Sequence, residues 1–208
     1  VPADLKGCRA LDIGCNAGFY SFELARRGAA VTAIDIEGRY LEQARWAAHQ
    51  FALEARVSFR QASVYELARG GERFDLVCFL GVLYHLRHPL LALDVVRGVT
   101  AGSMILQALT MPGEEVLAPP ESIELGGRGL MREPGWPVMA FIEGQLEEDP
   151  TNWWAPNHAC VEALVRAAGF RVLARPGHEI YLCEPETCEP PLGSQLRRAE
   201  LAAIFGEK

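Results

Sequence analysis

The sequence predicts a doubly wound α/β fold built on a parallel sheet, and three observations carry that prediction. Short apolar runs alternate regularly with stretches of helical periodicity, the signature of βαβ units. One apolar run, Ala10–Ile13, carries Asp12 near its end and breaks into a glycine-spaced turn, Gly14-Cys15-Asn16-Ala17-Gly18. A second run, Ala29–Ile34, ends at Asp35, roughly twenty residues beyond the turn, where a carboxylate is placed to accept from ribose hydroxyls. Glycines are expected where a backbone makes a tight turn and lets a ligand approach closely.

In chain order the expected strands are Arg9–Ile13, Ala30–Ile34, Val57–Gln61, Leu76–Leu80, Ser103–Ala108, Arg171–Ala174 and Glu179–Cys183. Helices are expected over Phe19–Arg27, Tyr40–Phe51, Leu90–Val99 and His158–Ala168. The third crossover is short: SVYELARGGER allows about two helical turns before Gly70-Gly71 stops them. The segment 110–156 breaks the rhythm, with clustered prolines and glycines and with Trp136, Trp153 and Trp154. A loop of that length inside one domain is functional or disordered, and its aromatics argue against disorder. It is expected to fold over the carboxyl ends of the strands as a substrate cap; a purely structural excursion is the alternative. Residues 1–184 then form one domain, and 185–208 form a tail of proline-rich linker and amphipathic helix, SQLRRAELAAIF.

Composition bounds the function. The 208 residues are half apolar and carry a net charge of −7, enough for a core that needs no metal or disulfide. Lys6 and Lys208 are the only lysines, so the positive charge is almost all arginine. The acidic balance argues against a large nucleic-acid substrate, although a local arginine patch is invisible in a net count. No apolar run approaches the roughly twenty residues that span a bilayer, and no basic-plus-apolar leader precedes the first strand. Six cysteines (8, 15, 78, 160, 183 and 188) fall mostly inside expected elements and read as reduced thiols, hence a cytoplasmic location. No His, Cys, Asp or Glu spacing matches a metal-ligand set, and His49 and His178 belong to no constellation.

A diphosphate-binding fingerprint seats an anion on a helix N-terminus. Here an acidic residue sits beside the turn, which suits a ligand carrying an ammonium or sulfonium group. In this motif the chain resembles the class I S-adenosylmethionine-dependent methyltransferases, with Asn16 at the position of their middle glycine. Asn tolerates left-handed backbone angles better than most residues. The stretch FDLVCFLGVLYHLRHPLLAL and the later NWWAPNHACVEALVRAAGF are similar to the branch that contains the tRNA wobble-uridine carboxymethyltransferases. The likeness runs from about Cys8 to Glu184. It implies a Rossmann-like, mostly parallel seven-stranded sheet with a cap insertion after the fifth strand, and S-adenosylmethionine as cofactor. That branch carries an additional N-terminal region with a basic residue for a carboxylated cofactor. This chain starts almost at its first strand without an initiator Met, and the sequence is silent on whether further residues precede it. Fold and cofactor class are therefore carried over, but not the substrate.

The resemblance also implies roles. Asp12, Gly14, Cys15, Asn16, Gly18 and Phe19 would form the turn at the amino-acid end of the cofactor. Asp35 would take the ribose hydroxyls and Ile36 would lie against the adenine. Ser63 and Val64 stand where such enzymes present an acid to the adenine amino group. Leu80, Gly81 and Tyr84 would lie nearest the methyl group. His85 is a candidate base for a hydroxyl or amine acceptor; alternatively it orients the helix that begins at His88-Pro89. Tyr84, Trp153, Trp154 and His158 are candidate substrate contacts, with His158 read as a pocket residue; the alternative for the two tryptophans is a loop anchor. Asn157 reads as an N-cap. Arg87, Arg128 and Arg132 could hold a phosphate or carboxylate, or pair with nearby acids. The expected activity is methyl transfer to oxygen or nitrogen of a small polar acceptor. Carboxymethyl transfer to tRNA, a non-catalytic interaction protein keeping the fold, and an NAD-dependent oxidoreductase are the competing readings. The sequence is silent on oligomeric state.

Overall fold

Alternating side chains on each strand divide the core in two. On the first strand Ala10 faces one side and Leu11 and Ile13 the other; on the fourth, Leu76 and Cys78 oppose Val77 and Phe79. Both sets are buried, as a sheet covered by helices on both faces requires. The computed structural model describes residues 2–187 and 194–206, with the backbone alone at Ser194. The elements run β1 (Arg9–Ile13), α1 (Phe19–Arg26), β2 (Ala30–Asp35), α2 (Gly38–Gln50), β3 (Val57–Gln61), β4 (Phe74–Leu80), α3 (Pro89–Val99) and β5 (Thr100–Gln107). After β5 come β6 (Met139–Phe141), β7 (Trp154–Pro156), α4 (His158–Ala167), β8 (Phe170–Gly177), β9 (Ile180–Pro185) and α5 (Ser194–Phe205). Three 3-10 helices, Val64–Arg69, Leu83–His85 and Leu125–Arg132, join them.

The main sheet has seven strands in the order β3-β2-β1-β4-β5-β9-β8. Strands β1 to β5 pair in parallel, and β9 runs antiparallel to both β5 and β8. The mostly parallel, doubly wound sheet is the one expected. The order reverses between β1 and β4, and open sheets of this kind bind ligands outside the carboxyl ends at such a switch point. Helices α1 and α2 cover one face with β1–β3, while α3 and α4 cover the other. Over β4, β5 and β9 the first face keeps a groove of about 520 Å³ lined by Leu24, Cys78, Leu80, Ile105, Ile180 and Leu182.

The strands differ from expectation mainly at their ends. β4 begins at Phe74 rather than Leu76, because Phe74 pairs with Thr100 across an irregularity in the β4–β5 register; beside it the Asp75 carboxylate accepts from the Arg9 backbone N–H at 2.8 Å. β5 begins at Thr100: inside it, Gly102 lets the backbone approach β4 so closely that a Cβ would meet the Asp75 carbonyl oxygen at 2.3 Å. The third crossover is the short 3-10 helix expected, closed by a Ser63–Glu66 capping box. Residues 110–156 contain structure that periodicity did not reveal, the 3-10 helix Leu125–Arg132 and the β6–β7 pair. The amphipathic helix of the tail is α5, and the Asp94 carboxylate on α3 lies 2.6 Å from Arg197 Nε on it. Cys188 and part of the proline-rich linker lie outside the described residues. The five described cysteines are unpaired thiols. No helix among the described residues is long and apolar enough to cross a membrane.

Candidate active site

The glycine turn after β1 is built by backbone angles. Gly14 has φ +70°, Asn16 +48° and Gly18 +91°, the region that glycine and, at some cost, asparagine adopt. Asn16 is stabilised there because its own Oδ1 accepts from the Ala17 N–H at 2.6 Å. The turn is fastened to β2 by the Gly14 and Cys15 N–H groups, both donating to the Ile34 carbonyl. Asp35 closes the arrangement: its Oδ2 accepts from Asn16 N–H and its Oδ1 from Glu37 N–H, each at 2.9 Å.

Asp12 and Asp35 are 2% and 9% exposed, and neither has an ion-pair partner among the described residues. Burial is expensive for an unpaired carboxylate. For Asp12 it raises the pKa to about 6, against the lowering effect of the Ser21 hydroxyl, which donates to Oδ2 at 2.6 Å. Asp12 thus turns inward to α1 rather than opening directly onto the turn. Burial, with the charges of Asp12 and Asp35, pushes the Cys15 thiol up to about 12 and keeps it protonated. Ile36, Phe19 and Tyr20 remain largely exposed beside this nook. Ser63 spends its hydroxyl partly on the Tyr65 N–H, and the Val64 side chain is buried in the core.

On the other side of the switch point, β4 ends in Leu80 and Gly81. Gly81 has φ +72°, and a Cβ there would sit 3.5 Å from both the Tyr84 hydroxyl and Gln107 Oε1. Tyr84 and His85 lie on the 3-10 helix that follows, their rings 4.3 Å apart. Burial first, then the charges of Glu179 and Asp149, raise the Tyr84 phenol above its ordinary pKa.

His85 does not cap α3. Its Nδ1 lies 2.9 Å from Thr151 Oγ1, and that hydroxyl donates to Asp149 Oδ1 at 2.6 Å. A hydroxyl has one proton, so Thr151 must accept from His85, which places the imidazole proton on Nδ1 and leaves Nε2 with a free lone pair. Hydrogen bonds from Thr151 hold the Asp149 carboxyl below its ordinary pKa. Sequence reading missed both residues. Asp149-Pro150-Thr151 is a turn-forming run, but no sequence pattern signals its meeting with His85.

The tryptophans fasten the 110–156 segment to the 3-10 helix Leu83–His85 and its C-terminal flank. Trp153 N–H donates to the Tyr84 carbonyl at 2.9 Å, and Trp154 Nε1 donates to the Leu86 carbonyl at 3.1 Å. Trp153 stacks against Phe141, and the Arg87 guanidinium lies 4.9 Å from a Trp153 ring centroid. Arg128 and Arg132 lie on the exposed 3-10 helix of the cap. Asn157 is the N-cap of α4, accepting from Cys160 N–H at 2.9 Å, and its amide also donates to the Trp136 carbonyl. His158, expected on the wall of the pocket, is fully buried instead, with Nδ1 2.5 Å from the Tyr181 hydroxyl. Burial, then the Arg175 charge, lowers its pKa, so it is neutral at pH 7. Glu179, unmarked by sequence pattern, accepts from Thr110 N–H at 2.6 Å and from Gln107 Nε2 at 3.2 Å, tying the cap's first residues to β9. The fold also brings Glu114 and His178 to His158, a grouping no spacing revealed.

The profile of a family described as a methyltransferase domain matches residues 4–164. A ubiquinone biosynthesis O-methyltransferase from Alkalilimnicola ehrlichii is 44% identical over 86 residues, 41% of this chain and 34% of that protein. A tRNA U34 carboxymethyltransferase from Alcanivorax borkumensis is 36% identical over 116 residues, 54% of this chain and 36% of that protein. The chain therefore spans about a third of the length of these curated relatives. Among solved structures, magnesium protoporphyrin IX methyltransferase from Synechocystis PCC 6803 with bound S-adenosylhomocysteine superposes with a TM-score of 0.62 at 21% identity, over 88% of this chain and 76% of that one. An S-adenosylmethionine-dependent methyltransferase from Listeria monocytogenes, so described with reserve, gives 0.64 at 14% identity over 89% and 94%. The match over residues 4–164 and the β3-β2-β1-β4-β5-β9-β8 sheet make this chain a member of the class I S-adenosylmethionine-dependent methyltransferase family.

Proposed function

We propose that this chain transfers a methyl group from S-adenosylmethionine to an oxygen or nitrogen of a small polar acceptor, with His85 as the general base. The observation that carries the reading is the pair of buried, cation-free carboxylates flanking the glycine turn. Asp35 is held by two backbone N–H groups and keeps lone pairs for two ribose hydroxyls, since a carboxylate accepts about four hydrogen bonds. The same unpaired negative charge favours a sulfonium or ammonium group and disfavours a diphosphate.

The residues fit the group. The Gly14–Gly18 backbone would hold the amino-acid end, with Asp12, Cys15, Asn16 and Phe19 around it. Asp35 and Ile36 would take the ribose and one face of the adenine, with Ser63 and Val64 at its edge. Leu80, Gly81 and Tyr84 would border the reacting carbon. When bound, S-adenosylmethionine supplies an electrophilic methyl group. His85 Nε2 then accepts the acceptor's proton, while Thr151 and Asp149 hold the imidazole in the tautomer that has a free lone pair. Residues 110–156 act as the cap that excludes water on the acceptor side, with Trp153 and Trp154 as its anchors.

The test is calorimetric titration with S-adenosylmethionine, S-adenosylhomocysteine, carboxy-S-adenosylmethionine and NAD, using Asp35→Ala as control. Binding of the first two that is lost in the variant, followed by label transfer from the methyl-labelled cofactor to a phenol, amine or sugar panel, supports the reading. Tighter binding of the carboxylated cofactor would favour carboxymethyl transfer. Binding of NAD alone would overturn the methyltransferase reading.

A further inference from the structure

Three ligand-type side chains from separate parts of the sequence meet at the root of the segment that follows β5. Glu114 lies just beyond β5, His158 is the first residue of α4, and His178 sits in the β8–β9 turn; their donor atoms all lie within 4.8 Å of one another. His158 is fully buried, and its Nε2 has no hydrogen-bond partner. That nitrogen faces Glu114 Oε2 at 3.5 Å. A buried polar atom left without a partner costs free energy and calls for an explanation.

We propose that Glu114, His158 and His178 bind one divalent transition-metal ion of the zinc type. The site would use His158 Nε2, the His178 ring and the Glu114 carboxylate, whose Oε2 faces His158 and whose Oε1 faces His178. Two imidazoles and a carboxylate suit zinc and its first-row neighbours, whereas magnesium and calcium take oxygen ligands. Bonds of about 2.0–2.1 Å in tetrahedral geometry separate neighbouring ligand atoms by about 3.3 Å. The His158–Glu114 pair already stands at 3.5 Å, and His178 Nδ1 stands 2.6 Å from Glu114 Oε1. The second contact must open by under an ångström. Both of its side chains are more than half exposed, so that movement is unobstructed.

The surroundings match what a metal site needs. Tyr181 Oη on His158 Nδ1 fixes the ring orientation, as an outer-shell partner of a ligating histidine does. Arg175 Nη2 lies 2.7 Å from Glu114 Oε2, the oxygen that also faces His158, and so orients the carboxylate towards the site. Three protein ligands leave a fourth position for water or a substrate oxygen. The ion would tie the start of the cap to α4 and to the β8–β9 turn, beside the Glu179 contacts that already hold Thr110.

The proposal is independent of which acceptor is methylated, and it is tested on the whole chain stripped with a chelator. Zn²⁺ is titrated calorimetrically, and Co²⁺ is added to read the ligand type. The expected result is a single equivalent, a Co²⁺ spectrum of nitrogen and oxygen ligation, and protease protection of the 110–156 segment. His178→Ala, a change at an exposed turn residue, should weaken binding by tenfold or more. Tyr181→Phe should weaken it by about tenfold through the outer shell. No uptake, a thiolate-to-cobalt charge-transfer band, or unchanged affinity in His178→Ala would overturn the site. Each would leave His158 simply donating its Nε2 proton to Glu114.

Discussion

The Thr151 hydroxyl stands between His85 Nδ1 and the Asp149 carboxylate, at 2.9 and 2.6 Å, and so decides which imidazole nitrogen is free. The free nitrogen, Nε2, is the one a general base needs. His85→Ala is therefore expected to lower kcat/KM by about 10²-fold or more while leaving cofactor affinity within twofold. Thr151→Val removes the tautomer lock and should cost about tenfold in kcat, the size of one lost hydrogen bond. The readout that a structural role would not move is the split between binding and transfer. Single-turnover methyl transfer should fall in His85→Ala while cofactor affinity holds, and transfer at the parent rate would remove His85 from the chemistry.

Asp12 offers a prediction with a definite sign. Its folded pKa of about 6 lies above the ordinary 3.8, so the folded chain takes up the proton more readily than the unfolded chain. The site contributes most stability below the ordinary value, loses it as pH rises towards about 6, and stays lower above that. The two-unit gap corresponds to roughly 2–3 kcal/mol. Asp12→Asn should melt several degrees above the parent at pH 8, with the gap narrowing through pH 5 and closing only below about pH 4, and should bind S-adenosylmethionine more weakly throughout. A gap independent of pH would show that burial of this charge is not what the substitution relieves.

Gly14 is required twice over. Its φ is +70°, and a Cβ would stand 2.3 Å from Val82 Cγ2. Gly14→Ala should cost about 2–4 kcal/mol, the sum of left-handed strain and overpacking. Adding Val82→Ala should recover the steric part but not the strain. Denaturant midpoints of the four proteins in this cycle separate the two, and full rescue would mean that the backbone angle costs nothing.

The parts that were legible in the sequence are local ones. Asp12, Gly14, Asn16, Gly18 and Asp35 fall on a strand–turn–helix–strand pattern whose geometry is fixed by neighbouring residues, and Asn157 follows from N-terminal helix chemistry. The strand ends were misjudged where a distant partner completed the ladder, as Thr100 does for Phe74. Thr151, Asp149, Glu114 and Glu179 were invisible because they lie in irregular backbone or tight turns, and each gains its meaning from a residue dozens of positions away. His178 is the sharpest case. It belongs to no sequence pattern, yet the β8–β9 turn carries it to a ring-centroid distance of 5.1 Å from His158.

The cap depends on a few directional contacts rather than a large apolar core, since the 3-10 helix Leu125–Arg132 buries no residue. Trp154 supplies one such contact through Nε1 to the Leu86 carbonyl, with its ring 5.1 Å from Phe141. Trp154→Phe keeps an aromatic body and deletes the donor, a loss of about 1 kcal/mol. Local opening samples energies far below global unfolding, so that small loss should act on the cap alone. The expected outcome is cleavage within 110–156 several times faster under limited proteolysis, with a melting temperature lowered by no more than a few degrees. The acceptor KM should rise and cofactor affinity should hold, because Leu86 and Tyr84 lie on the acceptor side of Gly81, whereas Asp35 lies across β1. Equal loss of cofactor and acceptor binding would mean that the tryptophans support the whole switch-point crevice.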